Sequence, residues 1–504
     1  MIMKKNKILC CITSVLITFN MFVSTQFTTT AEASCITNQS TTTAGANYLI
    51  NQERSEESTL DAEVSFSPFD NQVEKVIKVL DEAQDEVVIA HYNARLTPIL
   101  SKLVDLSKKG VKIKVVVDKD NALKEWNVGD DYLEENGIEV IRSKPEKTIG
   151  TTNYSIMHLK SVVIDKKTVM TGSLNWNATA AYCNDENMVV IRNEQVAEIY
   201  RNQILQLFEK KPFEIEKDQD SDIASIHFSP EQGLSGFIQK QIDKANESIE
   251  VSMFTFTEKY ISKSLLNAAK RGVKVKVIME KKQCDFSKVD EALENQPNVE
   301  LHRVGNTLSQ FSAMHQKYCV IDDKTVITGS ANWTASGTKF NDEDILILSN
   351  RDIAKKYHQN FLDLIHIYEG ISSTFEGEEI REKAPVLFHA NCSSTQPGDK
   401  VVVVGNVPEL GDWNVENGLV MSTSDDLFPD WFVKADIDPG VSIEYKYVIL
   451  RENGDAEWED GSNRNINIPD TARASEISGT YGNTADNWTP AQNNKTTNNN
   501  HQED

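Results

Sequence analysis

The sequence predicts an α/β protein built from two copies of one unit related by a pseudo-twofold axis, followed by a separate all-β domain. Three observations carry this reading. The segment "FSPFDNQVEKVIKVLDEAQDEVVIAHY" from Phe66 returns as "FSPEQGLSGFIQKQIDKANESIEVSMF" from Phe228. Within each copy, helix-period stretches alternate with short apolar runs, the pattern of a sheet covered by helices. Past residue 385 the helix period stops, and period-2 runs split by turns take over. A chain of 504 residues also exceeds the ~250–300 at which a single core stops growing.

Taken in order, the chain opens with Lys4, Lys5 and Lys7, an apolar stretch from Ile8 to Val23 and then "TTTAEAS", the plan of a secretory signal peptide over residues 1–33. Asn20 interrupts the apolar stretch, which falls short of the ~20 residues a spanning helix needs. The expectation is a secreted, extracellular protein with no integral membrane anchor, led by a flexible segment at 34–64. Cys10 and Cys11 leave with the signal. Cys35, Cys183, Cys284, Cys319 and Cys392 remain, odd in number and scattered, so neither a disulfide framework nor a zinc site is predicted.

The two copies occupy residues 65–212 and 223–368. Val73, Val76, Ile77 and Leu80 give a helix of the first copy one apolar face, and Leu234, Phe237, Ile238 and Ile242 do nearly the same in the second. Next come "KKGVKIKVVVD" and "KRGVKVKVIME", each a helix end closed by glycine and followed by an alternating strand. Their lysines complement a helix C-terminus and fill solvated strand positions, a plainer reading than a nucleic-acid surface. Gly110 matches Gly272 but His158 matches His315, so the offset shrinks from 162 to 157 residues. It then holds without a gap through "NDENMVVI" and "NDEDILIL".

The phrase "MHLKSVVIDKKTVMTGSLNWN" at 157–177 returns as "MHQKYCVIDDKTVITGSANWT" at 314–334. His158 and Lys160 stand two apart at the head of a β-branched strand, so they project to one side; His315 and Lys317 repeat this. Gly172 allows close backbone approach beside the Ser173 hydroxyl and the Asn175 amide, with Ser330 and Asn332 their equivalents. The product is an anion site holding a titratable imidazole. Two such copies across a twofold suit displacement at phosphorus, one imidazole attacking while the other protonates the leaving oxygen. Lysines and asparagines would hold the nonbridging oxygens, with no metal or cofactor required. Glu186 and Glu343 can orient an imidazole from its far nitrogen. Asp165 and Asp322, at strand-turn junctions, fit either a turn brace or a direct catalytic role. Trp176 and Trp333 read as core or pocket wall. Packing alone gives no reason to keep these groups in register while "LKSVV" drifts to "QKYCV".

The pattern H-x-K, four residues, D, six residues, G-S-x-N is complete in both copies and resembles that of the phospholipase D superfamily over roughly residues 65–365. The resemblance implies a bilobed α/β fold, a covalent phosphohistidine, and metal-free hydrolysis or transfer of a phosphodiester. It makes His158 the nucleophile and His315 the general acid, and puts Lys160, Lys317, Asn175 and Asn332 on the phosphate. Asp165, Asp322, Ser173, Ser330, Glu186 and Glu343 complete the catalytic set it implies. The superfamily also holds nucleases, phospholipid synthases and other phosphodiesterases, which the motif does not separate.

After an acidic connector at 369–385, the runs "KVVVVGNV", "DWFVKADI" and "SIEYKYVIL" predict a small immunoglobulin-like β-sandwich over 386–490. The phrases "VVVGNVPELGDWN", "IEYKYV" and "AEWEDGSNR" resemble a starch-binding module of the glucoamylase type. That resemblance places Trp413, Lys446, Trp458 and Asn463 at the main glucan site, where flat ring faces meet the C–H face of a pyranose. Trp431, in an alternating strand, reads as core, and Phe428 is all that "STSDDLFPD" offers toward a second site. The low-complexity tail at 491–504 is predicted disordered.

A net charge of −24 works against binding a long polyanion, because such binding draws on lysine and arginine releasing counterions. The expected function is a phosphodiesterase that hydrolyses or transphosphatidylates phospholipids and is localised on starch or a related α-glucan. Nucleic acid is the less favoured substrate. A non-catalytic glucan-binding protein is the third reading, and two intact motifs argue against it.

Overall fold

The computed structural model describes residues 60–67, 70–124, 127–145, 154–211, 224–306, 312–369, 382–396, 398–424, 427–468 and, for the backbone alone, 484–487. The expected signal peptide, Cys35, most of the segment at 34–64, most of the connector and the tail lie outside these residues.

The strands of the first lobe are β1 (Ala62–Phe66), β2 (Glu86–His91), β3 (Lys112–Asp118), β4 (Glu139–Ser143), β5 (Lys160–Ile164), β6 (Thr168–Gly172) and β7 (Asn187–Arg192). They form one seven-stranded sheet in the order β1-β7-β6-β5-β2-β3-β4. β2, β3 and β4 run parallel, and the remaining pairs are antiparallel. The second lobe has β8 (Ala224–Ser229), β9 (Ser248–Met253), β10 (Lys274–Glu280), β11 (Val299–Val304), β12 (Lys317–Ile321), β13 (Thr325–Thr328) and β14 (Glu343–Ser349). Its sheet, β8-β14-β13-β12-β9-β10-β11, repeats the first in order.

The helix Gln72–Leu80 starts where the Asn71 side chain accepts from the Glu74 N–H, and it buries Val73, Val76, Val79 and Leu80 against the sheet. Ser235–Ile242 is its counterpart, burying Ile238 and Ile242. Two longer helices, Glu194–Glu209 and Arg351–Glu369, line a core shared by the lobes, in which Tyr200 and Ile204 join Tyr357, Phe361 and Leu364. Phe66 of the first lobe meets Tyr357 of the second edge to face, with centroids 5.0 Å apart. Burying each such side chain contributes about 1.5–3 kcal/mol, so the shared core helps hold the two lobes together.

The last domain comprises β15 (Ala384–Asn391), β16 (Lys400–Gly405), β17 (Leu419–Val420), β18 (Asp430–Ile437), β19 (Ser442–Leu450), β20 (Ala456–Trp458), β21 (Arg464–Asn467) and β22 (Thr484–Asn487). One sheet runs β18-β15-β22 and the other β17-β16-β19-β20, with β21 paired to β19. Phe388, Val401, Val403, Val433, Tyr445 and Tyr447 fill one core between them. Trp431 is half-buried against that core and donates from Nε1 to the Cys392 carbonyl at 3.0 Å. Among the described residues no helix is long and apolar enough to cross a membrane.

Candidate active site

β5 and β12 each begin at the motif lysine, which leaves the histidine two residues outside the sheet, where it can pair with the other lobe. His158 N–H donates to the Asp342 carbonyl at 2.9 Å, and Asp342 N–H to the Ile156 carbonyl at 3.0 Å. The mirror pair is His315 N–H to the Asp185 carbonyl and Asp185 N–H to the Ala313 carbonyl, both 3.0 Å. The side chains follow the backbone across. His158 Nδ1 lies 2.7 Å from Glu343 Oε2, and His315 Nδ1 lies 2.8 Å from Glu186 Oε2. Each imidazole is therefore oriented by the carboxylate of the opposite lobe. A proton on Nδ1 shared with that carboxylate leaves the Nε2 lone pair free to attack.

The glutamates are held in turn. Glu343 accepts from Ser330 Oγ at 2.7 Å and Asn341 Nδ2 at 3.0 Å, and Glu186 from Ser173 Oγ at 2.6 Å and Asn184 Nδ2 at 3.0 Å. Gly172 is required here, because at φ +143° a Cβ would lie 2.4 Å from the Asn187 carbonyl, and that contact seats Ser173 beside Glu186. The two serines thus act on the carboxylates, and their hydroxyls are turned to Glu186 and Glu343 rather than to the anion site expected from the sequence.

Lys160 and Lys317 each donate to the carbonyl of their own motif histidine at 2.8 Å. Their ammonium groups stand over Tyr92 and Phe254, 5.3 and 5.2 Å from the ring centroids. The same rings pack on His158 and His315 at 4.9 and 4.6 Å. Asn175 and Asn332 each keep a buried amide oxygen with no hydrogen-bond partner, so neither amide is fully committed to the protein's own network.

Burial dominates the electrostatics. It lowers His158, and lowers His315 well below the ordinary imidazole value, with Lys317, Lys160 and His158 adding to the second shift. Lys160 and Lys317 both act on each of the two imidazoles, so the two motifs share one electrostatic environment. Burial also pushes Lys160 down to about 8 and Lys317 down to about 7. Glu186 is driven by burial up to about 7, whereas for Glu343 the neighbouring His158 and Lys160 outweigh burial and lower it.

These lysine shifts have two opposed consequences. As pH rises through 7–8 the ligand-free site loses the positive charges expected to hold phosphate, so kcat/KM should fall there, as a pH–rate profile will register. Stability moves the other way. The unfolded chain binds more protons than the folded one up to roughly pH 10.4, so these two lysines make the ligand-free fold more stable as pH rises, measurable by denaturant titration.

Asp165 and Asp322 are corrected by the structure. Each sits at the end of its strand away from the motif lysine, roughly 16 Å along at about 3.3 Å per residue. Asp165 accepts from the backbone N–H groups of Gln84, Asp85 and Glu86, and Asp322 from those of Asn246, Glu247 and Ser248. Both have positive φ, 50° and 52°, which aspartate tolerates. They brace the loop before β2 or β9 and take no part in the histidine site. Trp176 and Trp333 are core, 3% and 2% exposed.

Sequence reasoning passed over the groups behind the histidines. Asp118 Oδ2 accepts from Met157 N–H at 2.9 Å, and Glu280 Oε2 from Met314 N–H at 2.8 Å, fixing the residue before each histidine. The available signal was an acid closing both "KVVVD" and "KVIME".

On the last domain, Val402, Val404 and Val448 face outward from the β16–β19 sheet, and Trp413 and Trp458 pack against them, half-buried. Trp458 is the cross-strand partner of Val448, and Trp413 adopts φ +63° in the turn after β16. Lys446 Nζ donates to the Gly461 carbonyl at 2.6 Å, and Asn463 Nδ2 to Glu444 Oε2 at 3.0 Å, so both tie down the turn beyond Trp458. Two aromatic faces thereby share one surface. Phe428 is exposed and lies in another loop.

Residues 76–208 and 238–365, together just over half the chain, match the family described as cardiolipin synthase, PLD-like domain, and residues 383–478 match the starch binding domain family. A phospholipase D of Rickettsia conorii (strain ATCC VR-613 / Malish 7) is 36% identical over 141 residues, 28% of this chain and 68% of that protein. The mitochondrial cardiolipin hydrolase of Xenopus tropicalis is 33% identical over 139 residues, 27% of this chain and 63% of that protein. Cyclomaltodextrin glucanotransferase of Bacillus sp. (strain 1-1) is 33% identical over 88 residues, 17% of this chain and 12% of that enzyme. With two lobes of one topology, a histidine–lysine motif in each and a glucan-type aromatic face beyond them, the chain belongs to the phospholipase D-like phosphodiesterases and carries a starch-binding domain.

Proposed function

We propose that the protein is a secreted phosphodiesterase that hydrolyses phospholipid head groups, or transfers the phosphatidyl group to an alcohol, while held on starch or a related α-glucan. The observation that carries the mechanism is the crossed pairing of two imidazoles with two buried carboxylates. His158 Nε2 attacks phosphorus as the head-group oxygen leaves, and that oxygen takes its proton from His315. Water or an acceptor alcohol then gives a proton back to His315 and attacks phosphorus, breaking the P–N bond and freeing His158. The order follows from the family resemblance, since the two histidine–glutamate contacts, 2.7 and 2.8 Å, are alike in geometry.

Two features favour lipid over nucleic acid. The net charge is −24, and several exposed apolar side chains lie in the segments next to the strand ends that carry the site. Leu123 and Val128 follow β3, Phe286 follows β10, and Tyr154 precedes His158; Phe286 is 79% exposed. Exposed apolar side chains near the site suit a lipid surface better than a phosphate backbone.

Purified protein should release head group from phosphatidylcholine or phosphatidylethanolamine vesicles with chelator present. Cleavage of single-stranded DNA without such release would make it a nuclease. Trp413→Ala and Trp458→Ala should each weaken retention on amylose by about two- to tenfold while leaving turnover unchanged, since aromatic stacking supplies ~0.5–1.5 kcal/mol beyond area burial.

A further inference from the structure

The two faces of the starch-binding domain do different work. Along β18, Val433 and Ala435 turn into the domain's own core, whereas Phe432 and Lys434 turn toward the first lobe. Phe432, Leu387 and Leu427 are part of that lobe's apolar core. Asn71, the N-cap of the helix Gln72–Leu80, donates from Nδ2 to the Lys434 carbonyl at 3.2 Å. Tyr182 is buried in the same cluster as Phe432, Leu387 and Leu427. The glucan face, with Trp413 and Trp458, belongs to the other sheet and stays open.

The surface that this domain covers is the turn Thr179–Cys183, which runs directly into Asn184, Asp185 and Glu186. Lys434 is 4% exposed on the same face of β18 as Phe432, which clusters with Tyr182 and Cys183, and burial pushes its ammonium down to about 8, opposed by Cys183, Asp70, Asp436 and Asp185. From this turn Asp185 brackets the backbone of His315, Asn184 holds Glu186, and Glu186 holds the His315 ring. Sequence supports the assignment independently. The first lobe has "TAAYC" at 179–183 where the second has "SGTKF" at 336–340, and Lys339 is solvent-exposed whereas Tyr182 and Cys183 are buried. The copies diverge toward apolar residues on the side where the third domain sits.

We propose that the starch-binding domain is a structural part of the catalytic centre, with Lys434 a positioning residue that pins the turn from which Glu186 reaches His315. The inference rests on His315 being the proton donor, and one arm of its test is independent of turnover. In the full chain, Lys434→Met should speed amide exchange at 183–186 and 313–315 by about tenfold, with Lys434→Arg partly restoring protection and Tyr182→Phe giving a smaller change of the same sign. Retention on amylose should persist, showing the domain still folded.

Turnover of dihexanoylphosphatidylcholine below its micellar concentration should fall about tenfold in kcat with KM unchanged. Turnover of bis(p-nitrophenyl) phosphate, whose leaving group needs little protonation, should fall less. A purely structural weakening lowers both substrates equally. Unchanged exchange in the Lys434→Met and Tyr182→Phe variants, or equal losses on the two substrates, overturns the proposal. Absence of lipid turnover in the unmodified protein alongside the expected exchange pattern counts against the functional reading and leaves the docking intact.

Discussion

Under the proposed mechanism, replacing His158 with alanine should remove head-group release, a fall on the order of 10⁴-fold or more, because the imidazole that would bond phosphorus has no substitute. The neighbouring Lys160 is committed to the His158 carbonyl, and Glu343 sits behind the ring. Retention on amylose should be unaffected, since Trp413 and Trp458 lie on a separate domain; loss of both properties would mean a fold defect. His315→Ala separates the two imidazoles. With phosphatidylcholine it should cost about 10²–10⁴-fold, the usual worth of a general acid. With p-nitrophenyl esters much of the first step should survive, because nitrophenolate departs unprotonated. If His158→Ala shows that leaving-group dependence and His315→Ala does not, the two roles are exchanged.

Glu343→Gln should have the next largest effect, on the order of 10²–10⁴-fold in kcat, because glutamine keeps the shape but cannot stabilise a positive imidazole. Its informative feature is which histidine it silences. Added to His158→Ala, Glu343→Gln should cost nothing more, whereas added to His315→Ala it should lower the residual rate further. Glu186→Gln should show the reverse pattern. Measured double-mutant cycles that couple Glu343 to His315, or Glu186 to His158, would contradict the crossed pairing of 2.7 and 2.8 Å. Ser330 and Asn341, which hold Glu343 from behind, should give smaller losses when truncated, because the carboxylate keeps its charge without them.

The sequence by itself determined the repeat, the helix faces and the chemical membership of the site. Val73, Val76 and Leu80 are buried as their spacing requires, because a helix face depends on residues three and four apart. His158 with Lys160, and His315 with Lys317, were legible for the same reason, since a strand sets residues two apart on one side. The glucan-type aromatics Trp413 and Trp458 also stood out, lying in polar, turn-rich surroundings that do not demand a core residue.

Tertiary structure decided the partners. Glu343 lies 185 residues from His158, and Glu186 lies 129 from His315, and in a duplicated chain each carboxylate could equally have served its own copy. The short bridges Met157 to Asp342 and Asp185 to Met314 select the crossed arrangement. Asp165 shares the motif with the histidine yet works at the other end of β5, because a strand carries motif residues apart as surely as it aligns them. The packing of Phe432 on β18 against Tyr182 and Cys183 could not be read from either segment alone. Local geometry is written in neighbouring residues, whereas the choice among chemically equivalent distant groups is made only when the lobes and the third domain pack against one another.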